Sequence, residues 1–190
     1  MTPQPRQAAP RFGILGGMLR LGLFRAEGMA GFPDSVQGFL NSFAPMLALI
    51  LVGALLVATG GDPVFALESA ASSLVALLAQ PVVSHFLAAR WGREAAWLRY
   101  ATAANWCQWT PILVIAVLLP LAEMATQMGM APQLAAGLVL LLTLVYALGL
   151  AWFLARVGLS LSRGRAALLV AIVHIVLGAV IEIPVLLGHG

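Results

Sequence analysis

What constrains this chain most is a succession of long apolar runs, nearly free of charge and separated by short polar breaks. About 20 apolar residues in a helix cross the roughly 30 Å hydrocarbon core of a bilayer, because each residue adds 1.5 Å. Strands of a membrane barrel would instead alternate over about 10 residues. The runs do not alternate, so the expected fold is all-α: a polytopic helix bundle with every backbone group satisfied inside a helix. Composition agrees, since 62% of the 190 residues are hydrophobic and only 9% are charged. A water-soluble chain of this length has too little interior to hide that much apolar surface.

Five spans are expected, at about 39–59, 66–89, 100–122, 133–155 and 166–187, within a transmembrane domain covering 35–190. The Gly60-Gly61-Asp62-Pro63 turn, a polar break ending in Pro132 and the Gly158 to Gly164 stretch leave no room for a soluble domain. Residues 1–11 read as a disordered cytoplasmic tail. Residues 12–34 carry apolar side chains interrupted by Arg20, Arg25 and Glu27, which suits an amphipathic helix lying in the interface, although its several glycines weaken a helix. Met18, Leu21, Leu23 and Phe24 are expected to enter the acyl boundary. The arginines rule out a cleavable signal peptide in this stretch.

The ten cations are all arginine and set the orientation. Arg6, Arg11, Arg20 and Arg25 precede the first span, Arg90, Arg93 and Arg99 follow the second, and Arg156, Arg163 and Arg165 follow the fourth. With five spans all ten fall on one side, which the positive-inside rule makes cytoplasmic; the N-terminus is then in and the C-terminus out. Trp91, Trp97, Tyr100 and Trp152 flank the same ends, where rings anchor at headgroup depth. Single arginines between apolar runs are no nucleic-acid footprint. Cys107 is the only cysteine, which excludes an intrachain disulfide and a CxxC motif.

Polar groups inside a bilayer are costly, so each is a candidate for function and also for simple bonding between helices. The densest group lies on spans two and three: Gln80, Ser84 and His85 against Asn105 and Gln108, with Thr102 on the same stripe. Folding the two spans back on each other brings Gln80 to Gln108 or Trp109, and Ser84 to Asn105. Pro81 and Pro111 each free a carbonyl one turn earlier, at Leu77 and Cys107. Such kinks can line a cavity, and the plain alternative is polar glue between two helices. His174 and Glu182 share a face of span five and form a candidate proton relay, or two unrelated features.

His85 and His174 together raise a bis-histidine haem, on a thin signal. Neither HExxH nor GxSxG occurs and no phosphate loop is present, so no catalytic residue, metal site or cofactor is assigned. Ala147, Ala151 and Ala155 on span four, and Ser72 and Ala76 on span two, repeat every four residues and let helices or a second copy approach closely.

The elements RLGLFRAEGMAGFPDSVQGFLNSF, RYATAANWCQW and YALGLAWFLARVGLSLSRGRAALLVA resemble a group of small bacterial inner-membrane proteins similar to the Yip (Ypt-interacting protein) superfamily. That resemblance implies five spans, a cytoplasmic N-terminus and no enzymatic activity. The Asp-Leu-x-Gly-Pro element and the sizeable N-terminal domain of that superfamily are not found, so its association with small GTPases is not carried over and no site residue transfers. The expected function is therefore non-enzymatic: an accessory subunit or membrane organiser in the bacterial inner membrane, working through lipids, other membrane proteins or self-association. A small transporter or channel with a polar path between spans two and three is the first alternative, and a haem or quinone redox subunit the second.

Overall fold

A computed structural model describes the backbone of residues 13–187 and the side chains of residues 13–179. Those residues form eight α-helices and a 3-10 turn, and contain no strand. They are α1 (Ile14–Gly22), the 3-10 turn (Ala26–Gly31), α2 (Val36–Asn41), α3 (Ala44–Thr59), α4 (Pro63–Arg90), α5 (Glu94–Cys107), α6 (Thr110–Gln127), α7 (Pro132–Gly158) and α8 (Arg163–Leu187). Among the described residues four stretches are long and apolar enough to cross a membrane: Val36–Thr59, Pro63–Arg90, Glu94–Gln127 and Pro132–Gly158. The bundle thus has the makeup of a membrane protein.

Helix boundaries follow local chemistry. Pro63 and Pro132 each occupy the first turn, where a missing N–H costs nothing. The Asp62 carboxylate caps α4 by accepting from the Phe65 amide at 2.9 Å. Gly61, at φ +107°, makes the tight turn into that cap, in a conformation that side chains disfavour.

Two of the membrane-length stretches are broken, one near its start and the other near its middle. Val36–Thr59 is interrupted between Asn41 and Ala44, and Glu94–Gln127 between Cys107 and Thr110. A proline follows each break, Pro45 and Pro111, and a proline ring cannot donate to the carbonyl four residues back. At the second break the orphaned Cys107 carbonyl accepts instead from the Thr110 hydroxyl, at 2.6 Å.

Packing is uneven along the bundle. The core gathers α5 with the lead-in, the last turns of α4 and α7 and the first half of α8: Leu21, Ala103, Ala155, Leu159 and Leu169 are all sealed from solvent. Half of the residues of α5 are buried, whereas α3 buries none. α3 packs mainly on α4, leaving Leu51, Leu55 and Leu56 more than 60% exposed. Such a surface fits an apolar solvent.

The lead-in differs from the single interfacial helix expected over 12–34. α1 folds back against the 3-10 turn; α1 docks on α5, α6 and α7, and the turn on α5 and α7. Leu21 and Met18 are buried against the protein rather than offered to lipid, while Leu15, Leu19 and Leu23 form the exposed row. The glycines make this docking possible. A Cβ on Gly28 would stand 2.6 Å from the Gly17 carbonyl oxygen, and one on Gly17 would stand 2.9 Å from that of Gly28. Two backbones this close admit no side chain between them. Phe24 turns the chain at φ +58° and sets its ring against Tyr146 and Phe153.

Candidate functional site: a polar layer between two cavities

The polar residues of spans two and three fall into three separate constellations. The first is the pair Gln80 and Gln108: the Gln108 amide nitrogen donates to the Gln80 carbonyl oxygen at 2.7 Å, across the α4 to α5 hairpin. Gln108 sits in the break between α5 and α6, so Pro111 is what places this amide where the helix is interrupted.

In the second, Asn105 does not meet Ser84. Its Nδ2 donates to the Ser42 hydroxyl at 2.8 Å, with both residues buried, and Ser42 in turn donates to the Phe39 carbonyl. The bond therefore ties the last turn of α5 to the break between α2 and α3. In a medium without water an unpaired amide costs several kcal/mol, on the order of the whole desolvation penalty, so this single bond fixes how the two broken helices meet.

The third centres on Trp97. Its indole N–H donates to Ser84 at 3.1 Å, Ser84 donates to the Pro81 carbonyl at 3.1 Å, and the His85 ring stands edge-on to Trp97 at 4.6 Å. His85 also lies 3.6 Å from a Glu94 carboxylate oxygen at the half-exposed rim. Thr102, completely buried, donates back to the Leu98 carbonyl at 2.7 Å.

Two cavities meet at the first pair. A central one of about 340 Å³ lies among α4, the α5 to α6 break, α7 and α8; Tyr100, His174, Ala147 and Ala151 share its wall with the two glutamines. A larger groove of about 640 Å³ runs between α3, α4 and α8, walled by small and apolar side chains such as Gly53, Ala66, Ser73 and Ala76. Gln80, Gln108, Met46 and Leu177 belong to both walls. The small residues of α4 thus open a groove here, and the alanines of α7 face the central cavity.

His174 donates from Nδ1 to the Val170 carbonyl at 2.8 Å, since a carbonyl oxygen only accepts. Glu182 lies in the part of α8 whose side chains are outside the described residues, so the relay with His174 has no described geometry. His85 lines a third, apolar cavity under α2, and His174 the central one. The two imidazoles do not face a common space, and no group of three or more His, Cys, Asp or Glu able to hold a metal occurs among the described residues.

Sequence reasoning missed Ser42 and Tyr100. Pro45 is the signal for Ser42, because it predicts a break and a free carbonyl at Asn41. Nothing in the sequence sets Tyr100 apart from an interfacial anchor, yet it is only 4% exposed and lines the central cavity. No protein-family model matches the chain, and neither does any curated protein or solved structure.

Proposed function

We propose that the chain crosses a bacterial inner membrane five times, with its arginine-bearing end in the cytoplasm, and acts without catalysis through lipids or protein partners. It would serve as an accessory subunit or organiser of other membrane proteins. The resemblance to Yip-like membrane proteins and the one-sided arginines support the topology. The 25 residues of α8 supply the length for a fifth span.

One observation carries the functional reading: α3 buries none of its residues and leaves an open groove against α4 and α8. A helix that the chain itself covers so poorly is a surface for a second body of apolar character. Extraction in polymer nanodiscs, followed by identification of what co-purifies, tests this. The expected result is a lipid or membrane protein present in fixed ratio. A chain that purifies with neither, and turns over a substrate, contradicts it.

A second reading, a small transporter or channel, is favoured by the meeting of two cavities at Gln80 and Gln108. Flux of a small neutral solute into proteoliposomes, abolished by Gln108→Leu, would support it over the first.

A further inference from the structure

We propose that the central cavity and the α3–α4–α8 groove together form one binding site for a membrane lipid with an uncharged, hydrogen-bonding head. The head would sit in the cavity and the apolar chain in the groove. The inference rests on the reading above that the protein works through lipids or partners, and names the lipid class.

Four observations converge. First, the two spaces are continuous at Gln80, Gln108, Met46 and Leu177; the cavity adds Tyr100 and His174 to the polar pair, while the groove runs away from it along the leucines, alanines and serines of α3 and α4. An amphipathic ligand would place its head at the glutamines and its chain along the leucines.

Second, the cavity wall holds hydrogen-bonding capacity that the protein leaves unused. After the bond between them, Gln80 keeps its NH2 group and Gln108 its carbonyl oxygen. Exchanging the two amides' roles leaves the same inventory. Tyr100, almost completely buried, brings its side chain to the same wall. His174 uses Nδ1 on the Val170 carbonyl, and its ring also lines the cavity. These groups open on the cavity rather than being sealed inside the protein, so they stay available to a hydrogen-bonding head.

Third, no Arg, Asp or Glu lines either space among the described residues. A phosphate head would leave its charge unpaired there, whereas a quinone ring or a glycerol ester would not.

Fourth, the depth fits. Counting about 20 residues of apolar helix from the end away from the arginines reaches Gln108 from Gln127, Val82 from Pro63 and Ala151 from Pro132. The paired amides then lie at the hydrocarbon boundary, with the groove on the hydrocarbon side. Because α3 leans on α4 and hardly on α8, the groove opens sideways, as a lipid entering from the bilayer needs. The cavity volume of about 340 Å³ is within the size range of small-molecule pockets.

The test is native mass spectrometry of the full chain in nanodiscs, titrated separately with ubiquinone-10, dioleoylglycerol and phosphatidylglycerol. The expected result is one-to-one retention of a neutral-headed lipid, at least about tenfold tighter than phosphatidylglycerol. The first two titrations distinguish a quinone from a diacylglycerol. Gln108→Leu should weaken retention about tenfold or more, and Ser73→Phe, which fills the groove and leaves the polar pair intact, should do the same. Helical circular dichroism and melting checked on both variants separate lost binding from lost folding. Equal retention of phosphatidylglycerol, or retention unchanged in folded Gln108→Leu and Ser73→Phe, overturns the proposal. A protein partner co-purifying without any neutral lipid would also overturn it, while leaving the broader reading standing.

Discussion

The half of the bundle nearest the arginines and the half farthest from them are built on different physics. Near the arginines, α5 is enclosed by the lead-in, α2, α4 and α7, and several polar side chains are paired across elements: Asn105 with Ser42, Trp97 with Ser84, Tyr146 with the Gly22 carbonyl at 2.9 Å. Away from them, α3, α6 and the first turns of α4 and α7 carry apolar side chains that the protein leaves exposed, such as Leu55, Val117 and Leu140. A protein interior rewards close packing and satisfied polar groups, while lipid tails are already as apolar as leucine and reward no further burial. Sequence change should therefore cost much in the first half and little in the second.

The largest contrast is expected at glycines. Gly28→Ala forces a methyl group into the backbone of α1 and should cost about 1–3 kcal/mol, read as a loss of thermal stability in detergent. Gly137, in the far half, has nothing within 4 Å of where a Cβ would stand. Gly137→Ala should change the melting free energy by less than about 0.5 kcal/mol. Similar costs at the two sites would break the comparison.

A middling effect is expected from the bond between the broken helices. Asn105→Leu leaves the Ser42 hydroxyl without its partner and should cost about 0.6–2 kcal/mol, the range for hydrogen bonds between helices in bilayers. Adding Ser42→Ala in a double-mutant cycle sharpens this, because the coupling should vanish when both partners are gone. The smallest effect belongs to the lipid-facing surface. Leu141→Ala, at a position 54% exposed, should stay within about 0.5 kcal/mol of the parent in steric-trap or denaturant unfolding.

The same division governs what was legible in the sequence. The far half was readable from run length, since a helix facing lipid needs only enough consecutive apolar residues. The Gln80 to Gln108 contact was readable too, because two helices joined by a short turn fix which residues share a depth. The Asn105 to Ser42 bond was not, as its partners are 63 residues apart and their meeting depends on how two proline breaks are aligned. The glycines of the lead-in were misread for a related reason. Seen locally Gly17 weakens a helix, yet in the fold it is where α1 touches Gly28 and Gly31. The central cavity takes walls from α3 through α8, and no local pattern encodes it.

The central claim is that the chain crosses the membrane five times and keeps all ten arginines on the cytoplasmic side. A dual reporter fused after Gly190, with one moiety active only in the periplasm and the other only in the cytoplasm, tests it most directly. The account predicts periplasmic activity alone. Cytoplasmic activity would mean an even number of crossings and would contradict both the arginine argument and the depths assigned to the polar layer.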